Sequence, residues 1–212
     1  MRWQPRANQI SWIKAGLFVL CLVPFTRLVY GAVDNTLGTN PIETLTRSTG
    51  WWTLFLLMAT LSVTPLRRLA GMSWLTRLRR MLGLFAFFYA LLHFTTFVWF
   101  DHWFDVIEIV KDVIKRPFVT VGFGSFLLLL PLVITSNNAM VRRLGRNWQR
   151  LHRSVYAISI LGVLHYWWLV KRDLTEPVIF ASTLALLLGA RLAWRFREAR
   201  PATRPGTRQA AR

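Results

Sequence analysis

Six apolar runs, each about long enough to cross a bilayer, leave this chain little choice of fold. They are residues 10–30, 50–66, 81–100, 118–134, 148–170 and a last run from Pro177 towards Arg191. Most are roughly 17 to 21 residues, near the length that the hydrocarbon core requires of a helix. Inside that core every backbone N–H and C=O must be satisfied by its own segment, so the runs are expected to be helices. The predicted class is an all-α membrane protein, a six-helix transmembrane bundle spanning residues 10–196. A short cytoplasmic segment (1–9) precedes it, and a basic tail (197–212), rich in Pro, Ala and Thr, is expected to be disordered. The mean hydropathy of +0.37 agrees.

A formal charge of +18 would suit nucleic acid, but its distribution points elsewhere. Arg67, Arg68, Arg77, Arg79 and Arg80 follow the second run. Arg142, Arg143, Arg146, Arg150 and Arg153 follow the fourth, and Arg191, Arg195 and Arg197 close the sixth. The intervening connections carry few bases or balance them: residues 31–49 hold only Arg47, and the 101–116 connection includes Asp101, Asp105, Glu108 and Asp112. This alternation is the positive-inside pattern and places both termini in the cytoplasm. Lys14 is expected to snorkel and Pro24 to kink the first helix. Gly122 and Gly124 are expected to allow close helix approach. Thr64-Pro65 is expected to end the second span, and residues 106–114 to form a short amphipathic surface helix. Cys21 is the only cysteine, which excludes an internal disulfide, a thiolate metal site and C-x-x-C-H haem attachment.

The histidines carry the chemistry. His93 and His165 each lie about 13 residues past the cytoplasmic start of an outward-running helix, so both imidazoles reach the same depth in the outer half of the membrane. An imidazole in such a run is costly unless satisfied. The bland reading is two core residues bonded to neighbours. The matched pair favours axial ligation of one haem iron. His152 lies about 20 Å along the same helix from His165 and, on a regular helix, about 140° round it. No histidine faces it from the third span. It has three readings: one ligand of an incomplete second haem site, a lining residue of a quinone or flavin pocket, or an interfacial residue. His102 reads as a solvated interface residue. The cytoplasmic-end arginines Arg77, Arg79, Arg80, Arg150 and Arg153 could pair with haem propionates or a flavin phosphate.

Residues 79–97 (RRMLGLFAFFYALLHFTTF), 115–123 (KRPFVTVGF) and 136–168 resemble the MsrQ family, formerly YedZ. These are membrane haem subunits of bacterial periplasmic methionine sulfoxide reductase systems, within the ferric-reductase-like transmembrane superfamily that includes NADPH oxidases and STEAP proteins. The resemblance covers about residues 8–196 and implies a ferric-reductase-like bundle in the inner membrane. It implies haem b held by His93 and His165, with His152 as a further candidate ligand of a second haem, and FMN as an associated cofactor. It also implies electron delivery to the periplasmic molybdopterin reductase MsrP, from the quinone pool or a cytoplasmic flavin reductase. Oxidase relatives carry two histidines on each of two helices; here the inner one of the third span is lacking.

No G-x-G-x-x-G follows the sixth run, so hydride uptake from NAD(P)H is not expected. The expectation is an electron-transfer subunit, not an enzyme with its own substrate site, whose acceptor docks near the acidic loop 101–112. Two alternatives stand beside it: a stand-alone ferric or oxygen reductase, which needs an open iron position or an outer metal cluster, and a haem-free scaffold or transporter.

Overall fold

The computed structural model describes residues 4–199. Among them the chain forms α1 (Ala7–Val33), α2 (Pro41–Ala70), α3 (Arg79–Thr96), α4 (Val106–Lys115), α5 (Pro117–Ile134), α6 (Asn138–Leu144), α7 (Arg146–His152), α8 (Val155–Leu169) and α9 (Thr175–Ala199). A 3₁₀ turn (Ser73–Arg77) precedes α3, and a π turn (Phe97–Asp101) extends it. No strand occurs among the described residues. The helix α9 runs three residues into the stretch assigned to the tail; the rest of that stretch lies outside the described residues.

Helices α1, α2, α5, α9 and α3 with its π turn are each long and apolar enough to cross a membrane. The fifth expected span differs. Instead of one helix from Trp148, the chain makes α7, breaks, and restarts as α8, which has 15 residues. That is about 22 Å, short of the roughly 30 Å core. At the break Arg153 N–H bonds the Arg150 carbonyl at 3.2 Å and Ser154 N–H the Leu151 carbonyl at 3.0 Å, a tightened turn. The Ser154 hydroxyl adds a second bond to Leu151 O at 2.7 Å. His152 and His165 therefore stand on separate helices, and the regular-helix separation and rotation expected for them do not hold.

The helix α2 is longer than its apolar run at both ends. It starts at Pro41, not Gly50. Pro41 opens the first turn, and the Asn40 side chain caps it by accepting from Glu43 N–H at 3.2 Å. It also continues through Pro65 to Ala70. Pro65 has no N–H for the Leu61 carbonyl one turn earlier. The Arg191 guanidinium of α9 donates to that carbonyl instead.

Pro24 does open α1, and the gap is filled from α3. The fully buried Tyr89 hydroxyl donates to Cys21 O at 2.7 Å and accepts from Phe25 N–H at 3.0 Å. It bridges the pair that a continuous helix would have joined directly. The surface helix α4 forms as expected, capped by Asp105, with Val106, Ile107, Val110 and Ile114 on an exposed apolar side.

The core is built from two helix pairs, α2 along α3 and α5 along α8, closed by α9. Ala86 and Ile158, at 0% and 1% exposure, mark its centre. Removing the bridge to α1 should weaken the bundle. Tyr89→Phe leaves a buried donor and acceptor unpaired, a cost of about 1–3 kcal/mol, expected as a lower thermal unfolding midpoint in detergent.

Candidate functional site

His93 on α3 and His165 on α8 face each other across one cavity. Their ring centroids are 6.1 Å apart and the rings are inclined at 76°. Both are anchored in the same way. His93 Nδ1 bonds the Thr46 carbonyl of α2 at 2.8 Å, and His165 Nδ1 bonds the Phe118 carbonyl of α5 at 2.7 Å. A carbonyl only accepts, so Nδ1 carries the proton on each ring and Nε2 keeps a free lone pair. Each carbonyl stands 47 residues before its histidine.

A glycine stands one turn after each carbonyl, and it makes room for the ring. A Cβ on Gly50 would lie 3.1 Å from His93 Cε1, and one on Gly122 would lie 2.7 Å from His165 Nδ1. Thr46, Gly50 and His93 thus recur, at one constant shift along the chain, as Phe118, Gly122 and His165. The two helix pairs are repeats of one unit that face one another. Gly122 serves the expected close approach; Gly124 does not, since no atom lies within 4 Å of its would-be Cβ.

The cavity between the rings measures about 670 Å³. Its depth is mostly apolar, lined by Leu54, Ala90, Phe94, Phe126 and Ile158, and its charged lining gathers with His102 at the α4 end: Arg47, Asp101, Asp112 and Arg116. Among the described residues no cluster of three or more His, Cys, Asp or Glu side chains could hold a bare metal ion. Two opposed imidazoles suit an iron whose other four ligands come from a macrocycle. Metal–nitrogen bonds of about 2 Å, with about 1.1 Å from nitrogen to ring centre, ask for centroids about 6.2 Å apart. The observed spacing fits a haem, and so do the volume and the apolar walls.

His152 does not join this pair. Its Nε2 meets the Thr135 hydroxyl at 3.1 Å, its ring stacks on Trp148 at 3.9 Å, and Trp148 Nε1 donates to Thr135 O at 2.9 Å. His152 lines a second cavity of about 500 Å³ at the arginine-rich end, with Arg79, Arg80, Arg153, Arg191 and Tyr156. Among the described residues no acidic one lines that space. Of the arginines singled out in the sequence, Arg77 and Arg150 are not in the lining. Leu57 and Leu129 line both cavities and form the partition between them.

His102 departs from its expected solvated place. Its side chain is only 12% exposed, its Nε2 lies 3.2 Å from Asp112 Oδ2, and its ring packs edge-on against Phe97 at 4.6 Å. The sequence reading also misses Thr46, Arg47, Gly50, Arg116 and Phe118. A glycine at the same distance before each histidine is the signal that points to the anchors.

The ferric reductase like transmembrane component family matches residues 49–163. A protein-methionine-sulfoxide reductase heme-binding subunit MsrQ from Herminiimonas arsenicoxydans is 58% identical over 92% of this chain and 90% of its own. Proteins of the same name from Azospira oryzae and Bordetella pertussis are 54% and 51% identical, over 93% and 91% of this chain and 85% and 96% of theirs. No solved structure matches the chain.

The glycine cradles give a graded test. Gly122→Ala forces the His165 ring to move, a cost of about 1–3 kcal/mol, and should lower haem content strongly. Gly50→Ala, with its wider clearance, should lower it less. Haem per chain, read from the pyridine haemochrome, checks the order.

Proposed function

The chain belongs to the MsrQ family of protein-methionine-sulfoxide reductase haem-binding subunits, on the ferric reductase like transmembrane scaffold, and on that premise we propose that it is a haem b electron-transfer subunit. It takes electrons at its arginine-rich, cytoplasmic side and passes them across the inner membrane to a periplasmic molybdopterin reductase, MsrP, that repairs oxidised methionine. Haem held by His93 and His165 would supply one-electron chemistry. The observation that carries this reading is the pair of rings held 6.1 Å apart with both Nδ1 atoms committed to backbone carbonyls.

The chain's own residues divide the work. His93 and His165 present their Nε2 lone pairs, and the Thr46 and Phe118 carbonyls fix the ring planes and strengthen the ligands. Phe94, Phe126, Leu54 and Ile158 exclude water from the cavity walls. Ligation by both imidazoles would leave no open position for oxygen or ferric iron, which speaks for a conduit over a stand-alone reductase.

The second cavity supports electron entry beside His152. Four arginines without an acid favour a ligand with phosphate or carboxylates over a neutral quinone. FMN, or a second haem with His152 as its one imidazole ligand, satisfies that demand; a soluble flavin reductase would be the donor upstream.

The test is the dithionite-reduced minus oxidised spectrum of purified protein supplied with haem. Wild type should show a low-spin b-type signal. His93→Ala and His165→Ala should each lose it, a loss of at least about tenfold in bound haem, while His152→Ala keeps it. Absence of haem from wild type would overturn the conduit reading and leave the scaffold.

A further inference from the structure

The helix α4 has three sides, and the bundle and water account for only two of them. At about 100° per residue its side chains fall into three stripes with centres about 120° apart. Ile109, Asp112 and Val113 are half-buried against the bundle. Glu108, Lys111 and Lys115 form an exposed, charged stripe, in which Lys111 pairs with Glu108 at 2.7 Å. Val106, Ile107, Val110 and Ile114 make the third side, which is apolar and exposed.

That third side cannot be rolled inward. Asp112 Oδ2 meets His102 Nε2 at 3.2 Å, and the Val113 carbonyl accepts from the Thr120 hydroxyl of α5. Turning the helix about its axis would break both bonds. Nor can α4 leave the membrane boundary. The π turn after α3 ends at Asp101, four residues before α4 begins, and only Arg116 separates α4 from α5. Both neighbours are long and apolar enough to cross a membrane. At about 15 Å in length, α4 therefore lies along the bilayer surface at their shared end.

The turn that leads into α4 extends the apolar surface. Trp103 and Phe104 are both exposed and left-handed, with φ of 47° and 63°. Trp103 N–H bonds Trp99 O at 3.0 Å, and Phe104 N–H bonds Val98 O at 2.9 Å. The Phe104 ring lies 6.1 Å from that of Trp99, which stacks on Phe100 at 5.3 Å. Rings of this kind concentrate where hydrocarbon meets water.

We propose that Val106, Ile107, Val110 and Ile114, with Trp103 and Phe104, are seated in the lipid leaflet at this end, which makes α4 an in-plane membrane helix. The charge pattern selects lipid as the occupant. A soluble partner could cover the apolar side only if that side pointed away from the bilayer, and Glu108, Lys111 and Lys115 would then be pressed towards hydrocarbon. With the apolar side down, the charged stripe stands in water. A helix of this pattern sinks its apolar face about 5–10 Å into the boundary between headgroups and acyl chains. Seated so, α4 holds Asp112, and through it His102 and Arg116, at headgroup level beside the cavity mouth. Glu108, Lys111 and Lys115 remain as the side of this helix that a soluble partner can reach.

The test is electron paramagnetic resonance of spin labels on the full-length protein in vesicles of phosphatidylethanolamine and phosphatidylglycerol. Cys21 is the only cysteine, so Cys21→Ser is the background for Ile107→Cys, Val110→Cys, Lys111→Cys and Lys115→Cys. Labels at Ile107 and Val110 should collide with oxygen more than with a water-soluble nickel chelate and lie about 5–10 Å below the phosphates. Labels at Lys111 and Lys115 should show the reverse. A second arm needs no label. Ile107→Asp with Ile114→Asp should speed amide hydrogen exchange across α4 in nanodiscs by at least about tenfold, while Lys111→Gln with Lys115→Gln leaves it unchanged. Nickel access at Ile107 and Val110 equal to that at Lys111, or equal exchange in the two double variants, overturns the proposal. Labels shielded from nickel only after the partner reductase is added also overturn it, and give the surface to a protein. No readout involves haem, so this proposal and the haem reading fail separately.

Discussion

Two backbone carbonyls hold the centre of this molecule together. An imidazole inside a bilayer needs a partner for its N–H, and a helical carbonyl is available only if the ring can lie against the helix. Gly50 and Gly122 permit that approach, and the Thr46 and Phe118 carbonyls then take the Nδ1 protons. The consequence is chemical. With Nδ1 fixed as the donor, each Nε2 keeps its lone pair, and neither ring can rotate away without leaving a polar atom unpaired.

The same rule governs the prolines. Pro24 and Pro65 each deny a carbonyl or displace an amide in a spanning helix, and each defect is met by a side chain from another helix, Tyr89 in one case and Arg191 in the other. These bonds join α1 to α3 and α2 to α9. They are tertiary contacts that exist because the backbone cannot be left bare, and they set which helices stand beside the two repeated pairs. The pairs face each other across two cavities separated by Leu57 and Leu129, one ending at a mixed acid–base rim and the other lined by four arginines with His152 and Tyr156.

Much of this was legible in the residues. Five of the six apolar runs are helices long and apolar enough to cross a membrane. Two histidines at equal depth announced the pair that the structure brings to 6.1 Å. What escaped has physical causes. The start of α2 at Pro41 is written in a cap and a first-turn proline, and a polar stretch hides both when hydropathy sets the boundary. The break at Ser154 lies in a sequence with no Gly or Pro to mark it; a tightened turn and a serine hydroxyl make it. His102 looks solvated between Asp101 and Trp103, and only the left-handed turn that follows brings it inward. The repeat was hidden because its anchors are backbone carbonyls, at a threonine in one unit and a phenylalanine in the other.

The central claim is that His93 and His165 bind one iron from opposite faces, with their ring planes steeply inclined. Electron paramagnetic resonance of the oxidised, haem-loaded protein at low temperature tests it directly. Planes inclined at the observed 76° predict a strongly anisotropic low-spin ferric signal. A high-spin signal, or the rhombic low-spin signal of parallel imidazoles, would contradict it.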